Sequence, residues 1–291
     1  MAHVLTLIAD REAAPLSPAA VARVRAAVEG GPPDTLSPGE AVDIPLRAAP
    51  DMAAVAAALD GAAVDAIPTR LRGRRKGLLV ADMDSTIVTS ETLDELAGYA
   101  GLKEKIAAIT RRSMNGEIDF AEALRQRVAM LAGLGLEALE KTWAQTRFTS
   151  GARELVATMR AHNATTALVS GGFTFFTGRV AELLGFHVHR ANVLLDDGAR
   201  LTGAVGEPIL DRNAKLATLH ELAAARGLRL AATLAVGDGA NDLAMLREAG
   251  LGVAFHAKPI VAAEARARVD HAGLRALLFA QGYRLGEIVE D

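Results

Sequence analysis

The apolar run Gly77-Leu78-Leu79-Val80-Ala81 passes without a break into Asp82-Met83-Asp84-Ser85-Thr86. A continuous apolar run of this length reads as a strand of a buried parallel sheet. Two carboxylates two residues apart at the end of such a strand can face one point if the chain turns there. Close like charges in a partly buried place are costly unless a cation shares them. A hard divalent ion such as Mg²⁺ is the usual partner for such oxygens. Alone, a D-x-D would be no more than an acidic turn; the strand before it and Ser85-Thr86 after it make the pattern specific.

The same arrangement recurs along the chain. Further apolar runs lie at residues 165–169, 233–236 and 252–255. The first two of these, like 77–81, end in a polar or glycine-rich cluster and are followed by a helical pattern. That alternation predicts a parallel sheet with helices on both faces and ligands at the carboxyl ends of the strands. After 165–169 stands Ser170-Gly171-Gly172, a hydroxyl with unhindered backbone N–H groups, which suits a phosphate and equally suits a turn. After 233–236 stands Gly237-Asp238-Gly239-Ala240-Asn241-Asp242. Asn241 or Asp242 can cap the next helix, but capping does not explain Asp238, a third carboxylate aimed at the edge that holds Asp82 and Asp84. Lys215 lies near the start of a helix running to about Arg226, the less favourable end for a cation. Asp196-Asp197-Gly198 reads as a hairpin turn between 188–195 and 199–205.

Residues 1–69 are expected to form a small α+β domain, with strands at 4–9, 41–46 and 62–67 and helices at 17–28 and 52–59. This order resembles the βαββαβ layout of ACT-type amino-acid-binding modules, with one strand not located. Residues 70–76 carry Arg70, Arg72, Arg74, Arg75 and Lys76 without aromatics among them, and are read as a solvated linker, not a nucleic-acid patch. Residues 77–291 then form the second domain, with a mostly helical insert at about 91–150, too long for a simple crossover, as its cap. Every candidate catalytic residue lies beyond the linker, so a chain beginning near Gly73 is expected to fold and keep its chemistry.

Composition bounds the partners. With 51% hydrophobic and 23% charged residues and a net charge of −3, neither nucleic acid nor a membrane surface is expected. The absence of cysteine rules out disulfides, thiolate metal sites and cysteine nucleophiles. The apolar start, residues 4–9, has no basic region before it and runs into Asp10-Arg11-Glu12, unlike a secretory signal. No later stretch is apolar and uncharged for long enough to span a bilayer. A cytoplasmic globular protein is the expectation, and a homodimer is compatible with it.

The four clusters, in this order, resemble the four motifs of the haloacid dehalogenase superfamily, over about residues 77–256. The resemblance implies Asp82 as nucleophile and Asp84 as general acid/base, with Ser170 and Lys215 stabilising phosphate and charge. It implies Mg²⁺ held by Asp82, by Asp84 through its backbone oxygen, and by Asp238, with Asn241 and Asp242 supporting the metal and Lys215. The physical logic agrees, since an anionic nucleophile must approach an anionic phosphoryl group and cations must offset that repulsion.

Substrate choice falls to the insert. Asp119 with Glu122 reads as a helix cap. The helix after it places Arg127 at the edge of the apolar stripe, where an arginine either snorkels or meets an anion. Glu91, by itself, is a first-turn carboxylate favoured by the helix dipole, and Met114 reads as loop or packing. Asp82–Thr86 with Glu91, Met114-Asn115-Gly116 with Phe120 and Arg127, and Ser170-Gly171-Gly172-Phe173 together resemble the phosphoserine phosphatase branch. That likeness implies hydrolysis of O-phosphoserine to serine and phosphate, the last step of serine biosynthesis. It implies Arg127 on the substrate carboxylate, Glu91 on its ammonium, Met114 and Phe120 closing over it, and Ser170, Gly171 and Asn241 completing the contacts.

Other readings fare less well. A dehalogenase does not need Asp84, and a P-type ATPase needs membrane spans. No strand is followed by a dinucleotide or P-loop glycine pattern. Phosphohomoserine is the alternative substrate, and a sensor with a vestigial phosphatase domain the alternative role, though the latter does not explain intact Asp82, Asp84, Lys215 and Asp238. His187 and His189 lack a third ligand at metal spacing and are read as surface residues; Trp143 is read as packing.

Overall fold

The computed structural model describes residues 2–114 and 117–290, with the side chains of Met114 and Arg212 left aside. Strands β1 (His3–Ala9), β2 (Asp34–Ser37), β3 (Ala41–Leu46) and β4 (Val64–Arg70) form an antiparallel sheet in the order β2-β3-β1-β4. Helices Pro18–Ala27 and Met52–Leu59 pack on it, giving the ferredoxin-like βαββαβ order. The strand that periodicity does not reveal is β2, a short edge strand whose only large apolar side chain is Leu36. β1 is buried on both faces from Val4 to Ala9, which explains a run that is apolar but for Thr6. Leu5, Leu7 and Ala9 pack with Val24 and Val55 of the helices, while Ile8 joins the core of the larger unit.

That larger unit is built on β5 (Leu78–Ala81), β6 (Thr165–Phe173), β7 (Val188–Asn192), β10 (Thr233–Gly237), β11 (Leu251–Phe255) and β12 (Ala267–Val269). The sheet is parallel throughout, in the order β12-β11-β10-β5-β6-β7. From β5 the chain winds outward through β6 and β7, then returns to β10 on the other side of β5. The switch point therefore lies between β5 and β10, where ligands bind in open α/β sheets. A hairpin of β8 (Leu194–Asp196) and β9 (Leu201–Val205) separates the two halves. The turn at Asp196-Asp197-Gly198 is as expected, but the run before it is not one strand: residues 188–192 enter the main sheet and 194–196 leave it for the hairpin.

Between β5 and β6, helices Thr92–Tyr99, Lys103–Met114, Phe120–Ala129 and Glu137–Gln145 form the cap around Leu96, Leu124, Val128 and Leu139. Asp119 caps the third through the Ala121 and Glu122 amides, whereas Glu122 accepts from Gln126 and the reciprocal half of a capping box is not formed. No helix among the described residues is long and apolar enough to cross a membrane.

The basic stretch 70–76 is not a solvated linker throughout. Arg74 is buried and forks onto Asp43 (Nη1–Oδ2 2.5 Å, Nη2–Oδ1 2.8 Å), with further donations to Thr6 Oγ1, Ala280 O and Phe279 O. Two more carboxylates of the N-terminal sheet reach the larger unit. Glu40 takes both arms of buried Arg275 at 2.9 and 3.0 Å, and Asp65 accepts from the Asp270, His271 and Ala272 amides. Removing the residues before Gly73 would strip these partners away, a cost the sequence did not reveal. Breaking a buried ion pair from one side costs about 3–5 kcal/mol. Asp43→Ala should destabilise the protein by that order in urea unfolding, and adding Arg74→Met, which removes the stranded charge, should recover much of the loss.

Candidate active site

Asp82 follows the fully buried β5, its amide bonded to the Val236 carbonyl of β10, so it stands at the switch point. The chain then turns sharply: Ser85 takes a left-handed conformation (φ 53°), and its hydroxyl donates to Glu91 Oε1 at 2.8 Å. The Asp82 carboxylate is held from both sides. Oδ1 accepts from the Met83 amide at 2.7 Å, and Oδ2 lies 2.7 Å from Lys215 Nζ. Lys215 is buried in the first turn of helix Arg212–Ala225, where Asp242 also pairs with it at 2.6 Å. Two carboxylates thus offset both the burial of the ammonium and its unfavourable helix end. Asp242 in turn accepts from the Gly239 amide at 3.0 Å, and a Cβ on Gly237 would fall 2.3 Å from its Cγ, so only glycine fits at the strand end.

Asp84 is bound separately, with Oδ1 accepting from the Thr92 amide at 2.8 Å and Oδ2 from Ser170 Oγ at 3.2 Å. Ser170-Gly171-Gly172 bulges from the β6–β7 pairing. The register advances from Val169 to Phe173 on β6 while β7 advances only from Arg190 to Asn192. A Cβ on Gly171 would come within 3.2 Å of Phe120 Cζ, so glycine there lets the cap approach the sheet edge. Phe120, Ser170, Gly171, Lys215 and Asn241 line one pocket together with Val169, Asp211 and Ala214.

The charges are unbalanced. Carboxylate oxygens of Asp82, Asp238 and Asp242 lie within 4.8 Å of one another, against one buried ammonium. Burial first, then the Asp82 charge, pushes the Asp238 carboxyl up to about 6, despite Lys258 Nζ at 3.5 Å. Burial, then Glu91, pushes Asp84 up to about 7, and the Thr92 amide opposes this only in part. Lys215 is raised too, though for the opposite reason: burial alone would lower it, but Asp242 and Asp82 outweigh burial and keep it charged. An all-oxygen donor set with surplus negative charge fits a hard divalent cation. Asp242 belongs to this trio by distance but is committed to Lys215 and Gly239. The carboxylate of Asp84 stands outside it.

A family profile described as haloacid dehalogenase-like hydrolase matches residues 79–247. A phosphoserine phosphatase of Streptomyces coelicolor is 42% identical over 244 residues, covering 84% of this chain and 59% of that protein. One from Streptococcus thermophilus is 42% identical over 216 residues, covering 74% of this chain and 97% of that one. The chain belongs to the phosphoserine phosphatase family of haloacid dehalogenase-like hydrolases. A solved structure titled as a phospho-aspartyl intermediate analogue of phosphoserine phosphatase superposes with a TM-score of 0.66 at 39% identity, covering 70% of this chain and 98% of that one.

Within this family fold the substrate residues expected in the cap are placed unevenly. Phe120 lines the pocket. Arg127 and Glu91 do not, although the Glu91 charge acts on Asp84, Asp238 and Arg127 alike. The Met114 side chain lies outside the described residues. His187 and His189 bond to Thr166 and Thr177 and form no metal cluster among the described residues. Trp143 packs on the core. Two neighbours of the site escaped the sequence reading, Lys258 and Asn192; a polar residue at the carboxyl end of a core strand was the available signal for Asn192.

The raised carboxyls carry a stability consequence. The native state holds protons on Asp84 and Asp238 that the unfolded chain releases above the ordinary value of 3.8. Their contribution is therefore full at low pH and is lost as pH rises towards about 7. In calorimetry, the metal-free protein should be penalised progressively over this window, Asp84→Asn should flatten the slope, and a divalent cation should stabilise most at the alkaline end.

Proposed function

We propose that the chain hydrolyses O-phosphoserine to serine and phosphate through an aspartyl-phosphate on Asp82, with Mg²⁺ as cofactor. The observation that carries the substrate choice is Arg127. It is half-buried; among the described residues it donates only to Thr110 Oγ1 and the Ala123 carbonyl and takes part in no ion pair. Burial pulls its pKa down, opposed by the charges of Asp94 and Glu91. A part-buried guanidinium without a carboxylate partner suits an incoming anion. Glu91, exposed and near enough to influence Arg127 and Asp84 electrostatically, supplies the opposite charge for an ammonium group. A phosphate pocket beside one cation and one anion matches a phosphorylated amino acid, and the relatives named above carry that activity in their names.

In this reading Lys215 and the Met83 amide fix the Asp82 carboxylate for in-line attack on phosphorus. As the P–O ester bond breaks, the protonated Asp84 gives its proton to the serine oxygen; its elevated pKa suits that role near neutrality. Asp84 then takes a proton from the water that attacks phosphorus, releasing phosphate and restoring Asp82. Ser170, the Gly171 backbone and Asn241 receive the phosphoryl oxygens in the pocket. Asp82 and Asp238, with the Asp84 backbone oxygen, would hold Mg²⁺, which supplies charge neutralisation at the phosphoryl group.

Phosphate release across a panel of phosphomonoesters with Mg²⁺ tests the assignment, and O-phosphoserine should be the preferred member. Asp82→Asn should lose several orders of magnitude in kcat with the fold intact, and phosphate trapped on another residue would refute the nucleophile. Chelation should abolish turnover and Mg²⁺ restore it. A charge-assisted contact is worth roughly 10- to 150-fold in kcat/KM. Arg127→Ala should therefore weaken phosphoserine turnover by at least that range while sparing an aryl phosphate; equal loss on both would make Arg127 a structural residue.

A further inference from the structure

Asn192 is 1% exposed and ends β7, paired with Phe173 immediately after the Ser170-Gly171-Gly172 bulge. Among the described residues its side-chain amide is spent on two loops and nothing else. Nδ2 donates to the Gly171 carbonyl at 2.9 Å and to the Leu210 carbonyl at 3.4 Å, and Oδ1 accepts from the Leu210 amide at 2.8 Å. Leu210 immediately precedes Asp211, the residue that caps the helix carrying Lys215. The two loops therefore supply the two sides of the pocket, and Asn192 is the side chain that joins them from behind.

The bond to Gly171 also fixes a direction. In a trans peptide the carbonyl of one residue and the N–H of the next point opposite ways. With the Gly171 carbonyl held by Asn192, the Gly172 N–H must point away from β7, and it donates to Ser170 Oγ at 2.9 Å. Ser170 Oγ in turn donates to Asp84. Glycines on both sides of this peptide put up little resistance to its rotation, so its orientation rests on the Asn192 bond at one end and the Ser170 bond at the other. We propose that Asn192 is a positioning residue of the phosphate pocket. It sets the 171–172 peptide so that its N–H holds Ser170 Oγ, whose hydroxyl is directed to Asp84, and it holds that loop at a fixed distance from the Lys215 helix.

The inference rests on the reading of this pocket as the phosphate site, and the test separates the two. Inorganic phosphate serves as the probe, through its inhibition constant against an aryl phosphate with Mg²⁺ present. Asn192→Asp keeps the shape and the acceptor for Leu210 but loses both donors. Asn192→Ser loses reach without adding charge. Each should raise the phosphate inhibition constant and the KM for aryl phosphate by roughly 10-fold, the effect of one misplaced hydrogen-bonding unit, with a smaller change in kcat. Unchanged inhibition constants in variants that melt cooperatively would overturn the proposal, as would failure of both variants to fold, which would make Asn192 purely structural. A wild-type protein that neither binds phosphate nor hydrolyses phosphomonoesters would overturn the pocket reading, and this inference with it.

Discussion

The Lys215 ammonium, buried between Asp82 and Asp242, is the interaction around which the rest of the site is arranged. It ties β5 to the segment after β10 and to the helix Arg212–Ala225, three pieces of chain distant in sequence. Burying one cation demands compensation, and the two carboxylates provide more than that. Burial, and then the Asp82 charge, raise the Asp238 carboxyl, and the surplus charge disposes the sheet edge towards a further cation. A feature that would be a liability in an ordinary core thus becomes the source of the site's electrostatics. The position of β5, flanked by β10 on one side and β6 on the other, is what brings these groups to one point.

The glycines at that edge follow from the same crowding. Gly237 stands where Asp242 must pass, and Gly171 where Phe120 of the cap comes down. At Gly237 the approach is closer than a Cβ allows, and at Gly171 a Cβ would crowd the Phe120 ring. The bulge in β6 has a related origin. Extra residues on one strand push Ser170 and Gly171 out of the ladder and towards the pocket, while the β7 side fills the gap behind them with the Asn192 amide.

The N-terminal unit is joined to the larger one by polar anchors as well as by apolar packing. Asp43, Glu40 and Asp65 each leave the small sheet to meet a buried arginine or a row of amides. Such anchors are directional. They fix how the two units sit and make each dependent on the other, which an apolar contact alone would do less specifically.

Much of this was legible in the residues. Asp82, Asp84, Ser170, Lys215 and Asp238 each sit beside an apolar run or a helix start, and such local patterns survive whatever the tertiary arrangement. The βαββαβ order was legible except for β2, because a short edge strand with one buried apolar side chain leaves no alternation to read. The splitting of residues 188–196 between sheet and hairpin was not legible, since the run is continuous in sequence and only strand pairing divides it. Nor was the burial of Arg74: an arginine among arginines reads as solvated until a carboxylate from another sheet is placed against it. Asn192 and Lys258 belong to the same class. The sequence by itself determined which groups could do chemistry and at which strand ends they stand, because those are properties of neighbouring residues. The tertiary structure alone decided which charges are neutralised, which carboxyls hold their protons and which side chain orients the pocket's backbone, because these depend on distances and burial between segments far apart in the chain.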